Sequence, residues 1–174
     1  TLQHGTPSLA YIVREKPRSN IDTEKLQLLG LRPGPWLKQL KEPAPGQTTV
    51  EIDGVTHAIS SLHEQLLVET RGDSIAYLTD FLLDEAARAL LLPALKGCKT
   101  AVCESQYRQA DLELAVRNNH ITATQAAELA RDAGVGEMVL FHVSDRYTFA
   151  ERQELLAEAR AVFANTRLPE RWKC

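Results

Sequence analysis

Apolar positions along the chain follow two rhythms. Residues 8–14, Ser-Leu-Ala-Tyr-Ile-Val-Arg, read as a strand, and the same β pattern returns at 48–52 and 55–59. Asp53-Gly54 lies between those two runs and predicts a hairpin, because a tight turn there needs positive φ. Residues 66–69 and 74–79 flank Arg71-Gly72-Asp73 and predict a second strand pair. Downstream, helical spacing alternates with short apolar runs. It predicts helix 83–95, strand 99–104, helices 106–118 and 122–134, strand 138–142 and helix 149–164. The last helix carries Leu155, Leu156, Ala159, Val162 and Phe163 with charges between them, and Thr122 with Gln125 has capping-box spacing. Hairpins followed by β-α alternation predict an α/β domain with a mixed sheet.

Neither rhythm holds between 15 and 46. Pro17, Pro33, Pro35, Pro43 and Pro45, with Gly30, Gly34 and Gly46, punctuate this stretch and leave only short helical turns near 23–31 and 36–40. A loop of that length inside a compact domain is usually functional or mobile. Residues 15–46 are therefore read as a flexible arm inserted in one domain spanning 1–174, with Trp36 exposed at its tip. Charge sharpens this reading: residues 14–42 hold seven Lys/Arg against four acids, on a chain whose net charge is −3. The balance excludes a globally basic nucleic-acid binder but leaves a locally basic arm on an acidic body. Lys and Arg on such an arm favour phosphate contacts that carry no sequence information.

With 44% hydrophobic and 25% charged residues, the composition is that of a globular protein. No apolar run approaches the roughly 20 residues that span a bilayer, and no basic start leads into an apolar leader, so a cytoplasmic protein without membrane attachment is expected. The chain opens on Thr1 rather than Met, as a piece of a longer protein would. Cys98, Cys103 and Cys174 are odd in number and lack C-x-x-C spacing. They predict neither a disulfide framework nor a thiolate zinc site, and Cys98 and Cys103 read as buried, reduced core residues.

The candidate chemistry lies at element edges: His4, Asp80, His120 and His142. A histidine where a buried strand ends is well placed to hold a metal, because the strand is rigid and its end opens to a cleft. Singly, each has an ordinary alternative. Asp80 could cap the next helix, His4 could be solvated, and His142 could be a satisfied buried histidine. Glu104 ends a strand and could hold a histidine from behind. His57 and His63 read as surface residues.

Jointly the words are more specific. His4-Gly5-Thr6-Pro7 entering a strand, Asn20 through Lys41 with the tip Pro33-Gly34-Pro35, Tyr77-Leu78-Thr79-Asp80, His120-Ile121-Thr122 and His142-Val143-Ser144-Asp145-Arg146-Tyr147 occur in one order. That order resembles the C-terminal portion of the ribonuclease Z family, tRNA 3′-processing endonucleases of the metallo-β-lactamase superfamily. The resemblance implies the C-terminal half of an αββα sandwich: a mixed sheet with outer helices and a protruding arm. It implies two Zn²⁺ in the complete site, with His4 serving one, His142 the other and Asp80 bridging them. His120 would be catalytic, giving a proton to the leaving 3′ oxygen or steadying the scissile phosphate, with Glu104 and Arg146 in support. Lys25, Arg32, Gly34, Pro35, Lys38 and Lys41 would contact precursor tRNA, and the enzyme would be a homodimer.

The departures matter as much. The family's His-x-His-x-Asp-His motif is not in this sequence, so the chain is expected to be half of an enzyme and inactive alone. It is also expected to expose an apolar sheet face and to self-associate through it. Phe81 follows Asp80 where the family usually has Thr, and Ile121 stands in place of Ser. Two rival functions are a phosphodiesterase for small phosphoesters and a catalytically incomplete partner subunit that binds RNA.

Overall fold

The computed structural model describes residues 2–170. The chain divides into two compact units, Thr1–Arg14 with Asp73–Cys174, and Glu15–Gly72. The first unit begins with β1 (Leu2–Gln3), β2 (Pro7–Ser8) and β3 (Ala10–Arg14). The second holds β4 (Arg18–Ile21), α1 (Thr23–Leu28), α2 (Trp36–Lys41), β5 (Thr49–Ile52), β6 (Val55–Ala58), α3 (Ile59–Leu66) and β7 (Leu67–Thr70). The chain then returns to the first unit as β8 (Ser74–Leu78), α4 (Glu85–Leu95), β9 (Thr100–Glu104), α5 (Leu112–Arg117), α6 (Ala123–Ala133), β10 (Glu137–Phe141), α7 (Phe149–Val162) and β11 (Thr166–Arg167).

The first unit is the expected α/β architecture. Its five-stranded sheet runs β11-β10-β9-β8-β3, with β8 to β11 parallel and β3 antiparallel to β8. Helices connect the parallel strands, as a crossover between parallel neighbours requires. Successive strand residues point to opposite faces, and one face (Ala76, Leu78, Ala101, Cys103, Met138, Leu140) is fully buried. Helix α6 lies against that core through Ala123, Ala126, Ala127, Leu129, Ala130 and Ala133. These mostly small side chains let it pack closely against α4, α7, β9 and β10. Its N-terminus carries the capping box read from Thr122 and Gln125. The opposite sheet face presents Tyr11, Val13, Ile75 and Tyr77, between 41% and 63% exposed. Cys98 and Cys103 are buried and unbridged as expected, burial pushing the Cys103 thiol well up, while Cys174 lies outside the described residues. Among the described residues no helix is long and apolar enough to cross a membrane.

The second unit differs from an irregular arm ending at 46. Strand β4 pairs antiparallel with β7, and β5 pairs with β6 in the hairpin expected on Asp53-Gly54. Those pairings bring Leu26, Trp36, Leu40, Val50, Ile52, Ile59, Leu62 and Leu66 into a core of their own, so the cohesive segment extends to Gly72. Trp36 is therefore not an exposed tip. It is 6% exposed, and its indole Nε1 donates to Arg32 O at 2.9 Å. Asp22 caps α1, accepting from Glu24 N and Lys25 N, and the Lys25 N–H foremost holds its carboxyl below the usual range. His63 Nε2 is 2.6 Å from Leu40 O, an inward contact that a plain surface residue would lack.

Two further expectations change. Residues 66–69 and 74–79 do not pair with each other, because β7 joins β4 while β8 lies between β3 and β9. The predicted helix 106–118 shortens to a 3-10 turn at Gln109–Asp111 followed by α5. Its first residues are drawn off by backbone bonds from Tyr107 N to Ile121 O and from Ala123 N to Tyr107 O. At the ends of the second unit, a Cβ on Gly72 would lie 2.5 Å from Glu15 O, a close approach that only glycine permits. Arg14 and Ser74 stand opposite each other in the β3–β8 register.

Candidate metal centre

The parallel run β8, β9 and β10 ends on one edge of the sheet, and each strand delivers a polar side chain there. Asp80 follows β8, Glu104 closes β9 and His142 follows β10. Because β3 is antiparallel, its N-terminal side meets the same edge, and His4 precedes it between β1 and β2. His120 arrives from the connection between α5 and α6. The carboxyl ends of parallel strands are the usual place for ligands in such sheets.

Each group is tied down by its neighbours. Thr79 Oγ1 donates to Leu9 O at 2.8 Å, and Phe81 N donates to Glu104 Oε1 at 2.7 Å, so Asp80 is clamped on both sides. Asp84, rather than Asp80, caps α4 through Ala87 N, which leaves the Asp80 carboxylate for the centre. Its two oxygens face different histidines: Oδ1 is 2.8 Å from His142 Nδ1, and Oδ2 is 3.9 Å from His4 Nε2. Glu104 is fully buried. It accepts from His120 Nδ1, which is 3.0 and 3.1 Å from its two oxygens, and that bond leaves His120 Nε2 free to face the centre. The His4 and His120 rings meet edge-on at 4.5 Å, and the His120 and His142 rings lie 5.4 Å apart.

Two observations show that this donor set suits a cation. His142 Nδ1 is buried and has no hydrogen bond, since Asp80 Oδ1 is close to it but out of line for one. Meanwhile His4 Nδ1 lies 2.8 Å from the Asn119 carbonyl, which can only accept. Nδ1 therefore carries a ring proton, and Nε2 is the ring atom turned toward Asp80. Nitrogen and oxygen atoms of three side chains thus face one another around Asp80, as ligands of a shared ion do. Donors on an ion with bonds of about 2.0–2.2 Å lie roughly 3 Å apart. One donor atom each from Asp80, Glu104, His120 and His142 falls within 4.8 Å of the others, so these residues could hold a metal ion. Imidazole nitrogen and carboxylate oxygen form a set that suits zinc among other divalent metals.

Five of the residues singled out in the sequence thus converge: His4, Asp80, Glu104, His120 and His142. Arg146 does not join them. Its guanidinium stands 5.7 Å above the Tyr107 ring, whose centroid is 6.0 Å from that of His120. Lys25, Arg32, Gly34, Pro35, Lys38 and Lys41 all belong to the second unit, and all but the half-buried Gly34 are exposed. Sequence reasoning missed Asn119 and Gln106, whose amide Nε2 is 3.5 Å from His142 Nε2. The pair Asn118-Asn119 at a helix end was the available signal for the first, because asparagine is among the few residues that readily take positive φ there.

No family model matches the chain. Curated relatives do. Ribonuclease Z of Deinococcus radiodurans is 48% identical over 171 residues, covering 98% of this chain and 51% of that protein. Ribonuclease Z of Geobacillus kaustophilus is 38% identical, covering 96% of the chain and 52% of that protein. That of a Synechococcus strain is 37% identical, with 96% and 50% covered. The chain spans about half the length of the curated relatives it matches. Among solved structures, a metallo-β-lactamase fold protein from Bacillus subtilis aligns with TM-score 0.47 at 19% identity, covering 55% of this chain and 36% of that one. The short form of human tRNase Z aligns with TM-score 0.41 at 21% identity, covering 60% and 34%. Over about half of their length, the chain matches curated proteins named ribonuclease Z at 37–48% identity.

Proposed function

We propose that this chain is the C-terminal half of a zinc-dependent endoribonuclease that removes the 3′ trailer of precursor tRNA by phosphodiester hydrolysis. The observation that carries the reading is the two-sided contact of Asp80, with one oxygen at His142 and the other at His4. A carboxylate used this way can bridge two ions. His142 would hold one Zn²⁺, His4 the other, and ligands from the missing half would complete both. When bound, such a pair supplies Lewis-acid charge at the phosphate and a nucleophile at neutral pH.

This chain's own residues do the rest. Glu104 fixes the His120 ring through Nδ1 and so presents Nε2 toward the position of a leaving 3′ oxygen, to which a ring protonated on both nitrogens would give up a proton. The aromatic wall of Tyr107, backed by Arg146, keeps that ring from turning. Lys25, Arg32, Lys38 and Lys41 meet tRNA phosphates with Gly34 and Pro35 between them, a contact that selects charge and shape rather than sequence. The exposed sheet face of Tyr11, Val13, Ile75 and Tyr77 is where the remaining half of the protein packs. The whole protein is cytoplasmic and pairs as a homodimer, a claim that a monomer in sedimentation would remove.

The register of β3 and β8 supplies the test. In the full-length protein, residues 15–73 are replaced by Asn-Gly, a two-residue turn suited to closing Arg14 onto Ser74. Cleavage of precursor tRNA is expected to fall by about 10²-fold or more, as lost phosphate contacts imply, while hydrolysis of a small phosphodiester and zinc content stay near wild type. Equal loss of both activities counts against the tRNA reading. Absence of zinc from the intact protein counts against the enzyme altogether.

A further inference from the structure

Among the described residues, three other than glycine have positive φ: Asp53, Asn119 and His142. Asp53 belongs to the hairpin turn. The other two flank the metal centre, and Asn119 contributes a backbone atom to it rather than its side chain. Its φ is 59°, in the left-handed region that costs most side chains and that asparagine tolerates. This conformation follows directly on α5, where Asn119 N donates to Val116 O at 3.1 Å and His120 N donates to Ala115 O at 2.9 Å. The helix end is itself anchored, since Asn118 Nδ2 donates to the Tyr107 hydroxyl at 2.7 Å. The reversal turns the Asn119 carbonyl toward His4, and the next residue, His120, enters the centre from the same turn.

We infer that Asn119 is a positioning residue: its left-handed backbone aims its carbonyl at His4 Nδ1, fixes the ring tautomer and leaves Nε2 as the bare donor beside Asp80. A residue held in a sparsely populated backbone region next to a functional cluster is where such a role is expected. A carbonyl that accepts the far ring proton both orients the imidazole and raises its basicity. The role is carried by the backbone, so it depends on which side chains tolerate positive φ, not on the amide of Asn119. His4 and Asn119 are 115 positions apart, and this bond makes the turn after α5 a determinant of a ligand in the first strands. The metal role of His4 rests on the function proposed above, whereas the tautomer does not.

The test uses the full-length protein with Asn119→Gly, Asn119→Ala and Asn119→Val, and two readouts. The first is the ¹⁵N spectrum of histidine-labelled, metal-free protein, in which His4 is expected as the Nδ1–H tautomer in wild type and Asn119→Gly. In Asn119→Val, and partly in Asn119→Ala, that signature should give way to a mixture. The second is zinc affinity by competition with a chromophoric chelator. Glycine is expected to keep it within about twofold, and valine to lower it about 10- to 100-fold, the usual range for losing such a support. If valine misfolds, the glycine and alanine pair carries the same comparison. An unchanged His4 signature in both alanine and valine overturns the inference, as does a glycine variant as impaired as valine. Wild type that binds no zinc yet shows the expected tautomer series would sink the proposed function and leave the positioning role standing.

Discussion

In the first unit, the polar groups of the centre are bound to atoms from distant parts of the chain: His4 to Asn119 O, Glu104 to Phe81 N, His120 to Glu104. In the second, the candidate substrate residues other than Gly34 are exposed, three of the six lie on two six-residue helices, and only the helices' inner faces are fixed by Leu26, Trp36 and Leu40. The contrast matches what each unit is asked to do. Bond making needs donors held to about half an ångström. A phosphate backbone is attracted by charge over several ångströms and tolerates mobile side chains. Precision is built from buried hydrogen bonds, and reach is built from a small core carrying exposed charges.

The largest expected effect tests the precise side. His120→Ala should lower hydrolysis of precursor tRNA and of a small phosphodiester alike, by about 10²–10⁴-fold. Sparing of either substrate would show that His120 serves binding rather than proton transfer. Next, Trp36→Ala removes the largest side chain from a small core, at a cost of about 3–5 kcal/mol. Limited proteolysis should then cut within residues 15–72 while the first unit stays protected, and only precursor tRNA cleavage should be lost. Simultaneous digestion of both units would mean that they do not fold independently. The mildest change is Lys38→Ala with Lys41→Ala. We expect KM for precursor tRNA to rise with kcat unchanged, and the salt slope to shrink by about 2; an unaltered slope would place the phosphate contacts elsewhere.

The sequence carried the two sides unequally as well. Asp80, Glu104 and His142 were legible because parallel strands with apolar runs announce where they end, and their ends share an edge. His4 was not legible from local pattern. It precedes a two-residue strand, too short to show a period, and its partner is 115 positions away. Only the resemblance of the whole word order pointed to it. Asn119 escaped because a backbone carbonyl leaves no trace in residue type beyond tolerance of positive φ. In the second unit, proline and glycine punctuation hid a folded body whose cohesion comes from pairing 18–21 with 67–70. The spacing of Ile59, Leu62 and Leu66 on α3 was readable as a helix and was overlooked between the strand patterns. Trp36, flanked by Pro35, looked exposed because the turn that buries it is closed by strands further along the chain.

The contact between Gly72 and Glu15 has a thermodynamic consequence for the sheet. The second unit occupies a loop whose two ends leave facing positions of neighbouring strands, Arg14 and Ser74. Pinning the ends of a disordered segment of that length would cost about 3–4 kcal/mol of chain entropy, charged against the β3–β8 pairing. A folded unit whose own termini already touch removes that penalty. Melting of the second unit alone would therefore weaken the β3–β8 pairing while the first unit stays folded, so the state of the arm enters the free energy of the outer strand pair.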